Sequence, residues 1–107
     1  MISQDVIQEA ADRLVKAYNP LAIYVYGAYA SGTPSEDDDL NLLVIIEVSN
    51  DKVYKRGEKA FDALLSLGIP KHVAVFTKQE FDKLMQDKTS LCYEVGTKGK
   101  QLYARSK

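Results

Sequence analysis

Apolar residues recur every three or four positions through the opening of the chain, where Val6, Ile7, Ala10, Ala11, Leu14, Val15 and Tyr18 share one side of a helical period. Ser3 stands ahead of that run as a cap and Asn19-Pro20 stops it, so the spacing predicts an amphipathic cover helix. The pattern then changes. Residues 21–26 are β-branched, aromatic and aliphatic with no polar face, as in a strand covered on both sides. Gly27 closes that strand, and 28–31 have room for about one helical turn before Gly32, Thr33 and Pro34. After an acidic turn at 35–38, residues 39–48 predict a second strand. Asp39, Asn41, Leu43 and Ile45 lie on one face, and Leu40, Leu42, Val44 and Ile46 on the other.

Helical spacing returns over 51–67 through Val53, Ala60, Phe61, Leu64 and Leu67, and Gly68 and Pro70 end it. Residues 72–76 predict a third strand. Thr77 and Glu80 have the spacing of a capping box, with Phe76 and Phe81 as its hydrophobic staple, which starts a helix at Lys78 that reaches about Met85. A last helix is expected from Ser90 to Gly99, and 100–103 form an edge strand or pack Leu102 and Tyr103 on the sheet. The fold class is therefore α+β: one domain over 1–107, a small mixed sheet of three to four strands, helices mainly on one face and the other partly open.

Composition narrows the function. With 14 Lys+Arg against 15 Asp+Glu the net charge is -1, so the chain lacks the basic face with which duplex nucleic acid is held. Residues 21–30, the longest apolar stretch, contain Gly27 and fall short of the roughly 18 residues of a membrane span. The opening helix is amphipathic and carries acids as well as bases, unlike a leader, so a cytoplasmic protein is expected. One cysteine and one histidine make neither a disulfide nor a Cys/His zinc site, and Cys92 reads as a small buried apolar residue.

The chemistry is concentrated in 26–44. A glycine between a strand and a short helix turns backbone amides toward an anion, and Gly27 with Ala28 and Gly32 make such a phosphate-binding turn. Asp39 and Asn41, two residues apart on one strand face, are spaced to approach one hard metal ion. A phosphate turn beside a metal edge points to phosphoryl or nucleotidyl transfer.

These residues resemble the minimal nucleotidyltransferases of the DNA polymerase β-like superfamily, whose hallmark is Gly-Ser, a later Gly, Asp-x-Asp entering a strand, and a third carboxylate on the next strand. The likeness spans the chain. It takes in Gly27, Ala30, Gly32, Asp39 and Leu42-Leu43-Val44, then residues 77–81, and an ending at 90–95 followed by Lys98-Gly99-Lys100 and Leu102-Tyr103. The resemblance implies that Gly27 and its following amides hold a nucleoside triphosphate, while residues 39, 41 and 72 hold Mg²⁺ and activate an acceptor hydroxyl.

Three positions depart from the pattern. Ala28 replaces the phosphate-binding serine and deletes a hydroxyl contact to a charged group, worth about 1.5–3 kcal/mol, although the backbone donors remain. Asn41 keeps a carbonyl oxygen and loses the charge that draws Mg²⁺ out of water. His72 stands at the third position, where imidazole suits zinc or copper better than magnesium. Asp39 is the one acid left, so a degenerate catalytic site with weak or absent Mg²⁺ binding is expected.

Other readings of the same residues stay open. A strand beginning two residues earlier would pair Asp37 with Asp39, and otherwise 37–39 form a solvated acidic turn. His72 with Asp39 makes a transition-metal or proton-transfer site, or His72 is a hydrogen-bonded histidine at a strand start. Tyr24, Tyr26 and Tyr29 stack on a base or fill core and rim.

The resemblance also implies a protein that neutralises a small helical HEPN-like partner in a toxin–antitoxin pair, by binding or by adenylylation. Such a partner or a homodimer is expected, with Leu91, Val95, Leu102 and Tyr103 contributing to the contact or covering the sheet's last face.

Overall fold

The computed structural model describes residues 2–50 and 52–105. The chain order is α1 (Gln4–Tyr18), β1 (Ala22–Tyr26), α2 (Ala28–Ser31), β2 (Leu40–Ile46), α3 (Val53–Leu64), β3 (Lys71–Thr77), α4 (Lys78–Leu84), α5 (Leu91–Lys98) and β4 (Lys100–Ala104). The strands form one mixed sheet in the order β3-β2-β1-β4. Both neighbours of β1 run antiparallel to it, and β3 runs parallel to β2.

Local chemistry sets the helix ends where the sequence placed them. Ser3 Oγ accepts from the Val6 amide at 3.3 Å, and Asn19 ends α1 in the left-handed conformation with φ 47°. The capping box forms in full: Glu80 N donates to Thr77 Oγ1 at 3.1 Å and Thr77 N to Glu80 Oε1 at 2.9 Å. Ser90 Oγ caps α5 by accepting from Tyr93 N at 3.1 Å. The helix expected over 51–67 tightens to a 3-10 turn at Leu65–Leu67 before Gly68, a common way for a last turn to satisfy its carbonyls. The second strand is shorter than the periodicity suggests, because Asp39 lies just before β2 and Val48, 82% exposed, has left the sheet.

Alternation along β2 separates two apolar layers. Leu40, Leu42, Val44 and Ile46 pack with Ile7, Ala10, Ala11 and Leu14 of α1 and with Ala60 and Leu64 of α3. Leu43 and Ile45 face the other way, toward Phe81 of α4 and Cys92 and Val95 of α5. Each fully buried aliphatic side chain contributes roughly 1.5–3 kcal/mol, so β2 is clamped from both sides. The two long helices share one face, as expected. The short α4 and α5 cover the opposite face over Leu43 and Ile45, while Asn41 near its start stays half-buried.

The C-terminal apolar residues belong to this packing. Val95 is fully buried rather than exposed, Leu91 packs on the α4–α5 layer, and Leu102 and Tyr103 pack against the α1 layer. Cys92 is fully buried, and burial pushes its thiol up to about 11.

Candidate nucleotide site at the Gly27 turn

The β1 strand delivers the chain to Gly27, whose φ of 79° and ψ of -147° lie where a side chain is strained. A Cβ there would stand 2.8 Å from Asn41 Nδ2, so the glycine also lets the Asn41 amide come over the turn. Helical bonding in α2 starts with the Ala30 and Ser31 amides, both 3.0 Å from Gly27 O. The Ala28 and Tyr29 amides precede it at the end of β1. Gly32 caps α2 at φ 85° with nothing near its Cβ position, which makes it a turn glycine by conformation alone.

The acidic turn is tied internally. Asp38 N donates to Ser35 O at 3.2 Å, and Ser35 N and Oγ donate to Asp38 Oδ2 at 2.8 and 3.2 Å. Asp37 is exposed within that turn, and β2 does not extend back to it, so the shifted Asp37–Asp39 strand pair does not form.

Asp39, Asn41 and His72 do come together. Leu40 N donates to Pro70 O at 2.9 Å, and the parallel register places Leu40 beside Lys71 and Asn41 beside His72. His72 Nε2 stands 3.0 Å from Asp39 Oδ2, with the side chains 70% and 39% exposed. The tyrosines are engaged in packing. Tyr24 stacks on Phe81 with centroids 6.3 Å apart, and the Tyr29 hydroxyl accepts from Ile2 N at 3.0 Å. Tyr26 is half-buried, and burial, then the nearby Glu94 charge, raise its hydroxyl above the usual range.

One charged group escaped the sequence reading. Arg56 is 7% exposed and grips Glu80 at 2.5 and 3.1 Å, and this contact above all lowers the Glu80 carboxyl to about 2. Its signal was an arginine four residues before the buried Ala60, in phase with the apolar stripe of α3. The Tyr18 hydroxyl donates to Arg56 O and accepts from Ala60 N at 2.9 Å, which joins α1 to the same region. A cavity of about 670 Å³ opens there, lined in part by Ile46, Glu47, Lys59 and Arg105, at the far end of β2 from Gly27. Arg105 pairs with Glu47 there and Arg56 with Glu80, and the Gly27 turn and the Asp39–His72 pair lie elsewhere.

The residues at the motif positions do not fit a pair of magnesium ions. A two-metal clamp needs several carboxylates, whereas here the donors are one carboxylate, one carboxamide and one imidazole, and the carboxylate already stands against the imidazole. Among the described residues there is no group of three or more His, Cys, Asp or Glu placed to hold a metal ion.

A four-stranded mixed sheet that brings a glycine turn to a polar strand edge defines a nucleotidyltransferase-fold domain. The family model Polymerase beta, Nucleotidyltransferase matches residues 8–107, and the chain belongs to that family. Among solved structures, a provisionally assigned nucleotidyltransferase from Sulfolobus solfataricus aligns with TM-score 0.67 and 14% identity over 94% of this chain and 79% of that one. A toxin–antitoxin structure with AMP-PNP aligns with TM-score 0.65 and 25% identity, covering 92% of this chain and 74% of the other. A mutant of the toxin–antitoxin MntA-HpeT aligns with TM-score 0.61 and 24% identity over 99% and 76%. Comparison with curated protein sequences found no match.

Proposed function

We propose that this chain binds a nucleoside triphosphate at the Gly27 turn, has weak or no nucleotidyl transfer of its own, and acts as an antitoxin-type protein by docking a small helical HEPN-like partner in the cytoplasm. The observation that carries the catalytic half is the state of the acid positions. Asp39 alone remains, 3.0 Å from His72 Nε2, with an asparagine at 41. Mg²⁺ dehydrates reluctantly and needs charged oxygens, so magnesium saturates this site only above millimolar levels. Ala28, Gly27 and Gly32 keep the backbone of the phosphate turn, which supports binding without the missing serine hydroxyl.

The partner half draws support from the fold neighbours, two of which are described as toxin–antitoxin structures, one of them with AMP-PNP. With helices on both faces and a net charge of -1, this chain has little long-range pull on nucleic acid, and a protein surface is the better match. A homodimer is the competing outcome.

Label transfer from an α-labelled nucleoside triphosphate in Mg²⁺ tests the proposal directly. Transfer by the parent chain at the rate of an ordinary nucleotidyltransferase overturns it. The triple variant Ala28→Ser, Asn41→Asp, His72→Asp is expected to strengthen Mg²⁺-dependent nucleotide binding, with single reversions doing little because the carboxylates act as a unit. Co-expression with the neighbouring gene should yield a stable hetero-complex, and light scattering separates that from self-association.

A further inference from the structure

We infer that the cavity at the far end of β2 is a second ligand site, built to take a phosphate group, free or carried by a small molecule. The inference goes beyond the proposed function and stands whether or not a nucleotide binds at the Gly27 turn.

The place is one where ligands settle. β2, α3 and the parallel strand β3 form a β-α-β unit, and in open sheets made from such units the ligand lies outside the carboxyl ends of the strands. The cavity of about 670 Å³ opens at Ile46, the last residue of β2, between the end of α1 and the first turns of α3. Small ligands occupy cavities of roughly 300–1,000 Å³, so a phosphate fits together with a molecule that carries it. Tyr18 and Ile46 give that carrier an apolar wall.

The charges decide the class of ligand. Among the described residues Lys55, Arg56, Lys59 and Arg105 line the cavity against Glu47 and Glu58. Arg105 pairs with Glu47, and Arg56 turns away to Glu80. Lys55 and Lys59 remain, both exposed, one helical turn apart on α3 and without an ion pair among the described residues. Lys59 Nζ stands 5.9 Å from the centre of the Tyr18 ring, a contact that leaves its donors open. This arrangement works against the helix by itself. Like charges four residues apart repel, and α3 carries no acid in its first turn, where its dipole favours one. An anion held between the two ammonium groups reverses both effects.

The opposite wall has a donor to spare. Arg105 gives its two terminal nitrogens to Glu47 and to Asn19 O, whereas its Nε is buried with no acceptor. A phosphate oxygen beside that guanidinium, or a water held by it, supplies the acceptor.

Inorganic phosphate, AMP and adenosine are titrated separately into the parent chain and into the double variant Lys55→Gln, Lys59→Gln, with ionic strength held constant by NaCl and amide correlation spectra as the readout. Both substituted side chains are exposed, and the same spectra confirm that the variant is folded. Phosphate and AMP are expected to shift the amides of residues 46–50 and 55–59 with a saturable midpoint, and adenosine to leave them in place. The midpoint should lie about tenfold or more higher in the double variant, because two charge-assisted contacts are lost. A lower midpoint for AMP than for phosphate makes a phosphorylated molecule the occupant, and equal midpoints make it free phosphate. Cavity amides that stay in place up to tens of millimolar phosphate, an equal midpoint in parent and double variant, or shifts confined to residues 27–32 overturn the inference.

Discussion

Gly27→Ala is the substitution on which the site geometry bears most directly. The backbone at Gly27, φ 79° and ψ -147°, lies in the glycine-only region, and a non-glycine residue held there costs about 1–3 kcal/mol. The new Cβ would also stand 2.8 Å from Asn41 Nδ2, closer than side-chain carbons approach, and pushing that amide off its rotamer adds roughly 0.5–1.5 kcal/mol. Alanine returns about 0.4–1 kcal/mol by restricting the unfolded chain. The net expectation is a loss of about 2–3 kcal/mol, a large share of the 5–15 kcal/mol typical of a whole domain. With a urea m-value of about 1–3 kcal/mol per molar, the unfolding midpoint should fall by roughly 1–2 M at unchanged slope. Adding Asn41→Ser to Gly27→Ala removes the clash and leaves the strain, so it should recover only about 0.5–1.5 kcal/mol. Titration with a non-hydrolysable triphosphate should show weakened binding in both variants, because the amides after residue 27 no longer point to the same place. A Gly27→Ala protein within about 0.5 kcal/mol of the parent would refute the reading of this turn.

Other consequences follow from the packing. The Glu80 carboxyl, lowered from 4.5 to about 2 chiefly by Arg56, contributes stability that is fully present above pH 4.5 and is lost as pH falls through about 2. Glu80→Gln should flatten that acid limb and cost about 1–2 kcal/mol at neutral pH, after discounting for a side chain one-third in solvent, as read by urea unfolding across the pH range. Cys92, fully buried with its thiol raised to about 11, should react with an aromatic disulfide reagent only as fast as the protein opens, and at once in denaturant. Gly96→Ala clashes with the flexible end of Met85 alone, the Phe81 ring lying at an ordinary 3.6 Å, so helix propensity should bring the change within about 1 kcal/mol of neutral in thermal unfolding. Gly99→Ala should lower the melting temperature clearly, because its Cβ meets the backbone carbonyls of Val95 at 2.6 Å and Val25 at 3.0 Å.

Much of this molecule was legible in the order of its residues. Helical period, caps at Ser3, Thr77 and Ser90, and glycine stops located the long elements within a few positions, because those signals act between residues near in sequence. The same local logic brought out Gly27 as the turn after the first strand and Asp39 and Asn41 as the polar pair at the entry of the second, while His72 came from the family resemblance. What remained was decided at long range. Both faces of β2 are apolar from Leu42 to Ile46, so its pattern cannot choose a neighbour, and only packing between the α1–α3 and α4–α5 layers selects the order β3-β2-β1-β4. That order and the parallel β2–β3 register bring His72 to Asp39. They also bury Val95, and they carry Glu80 to Arg56, whose position in α3 tells nothing of its partner. Periodicity assigns a residue to a face; which residues meet across the sheet depends on the free energy of burying both faces at once, and that belongs to the whole chain.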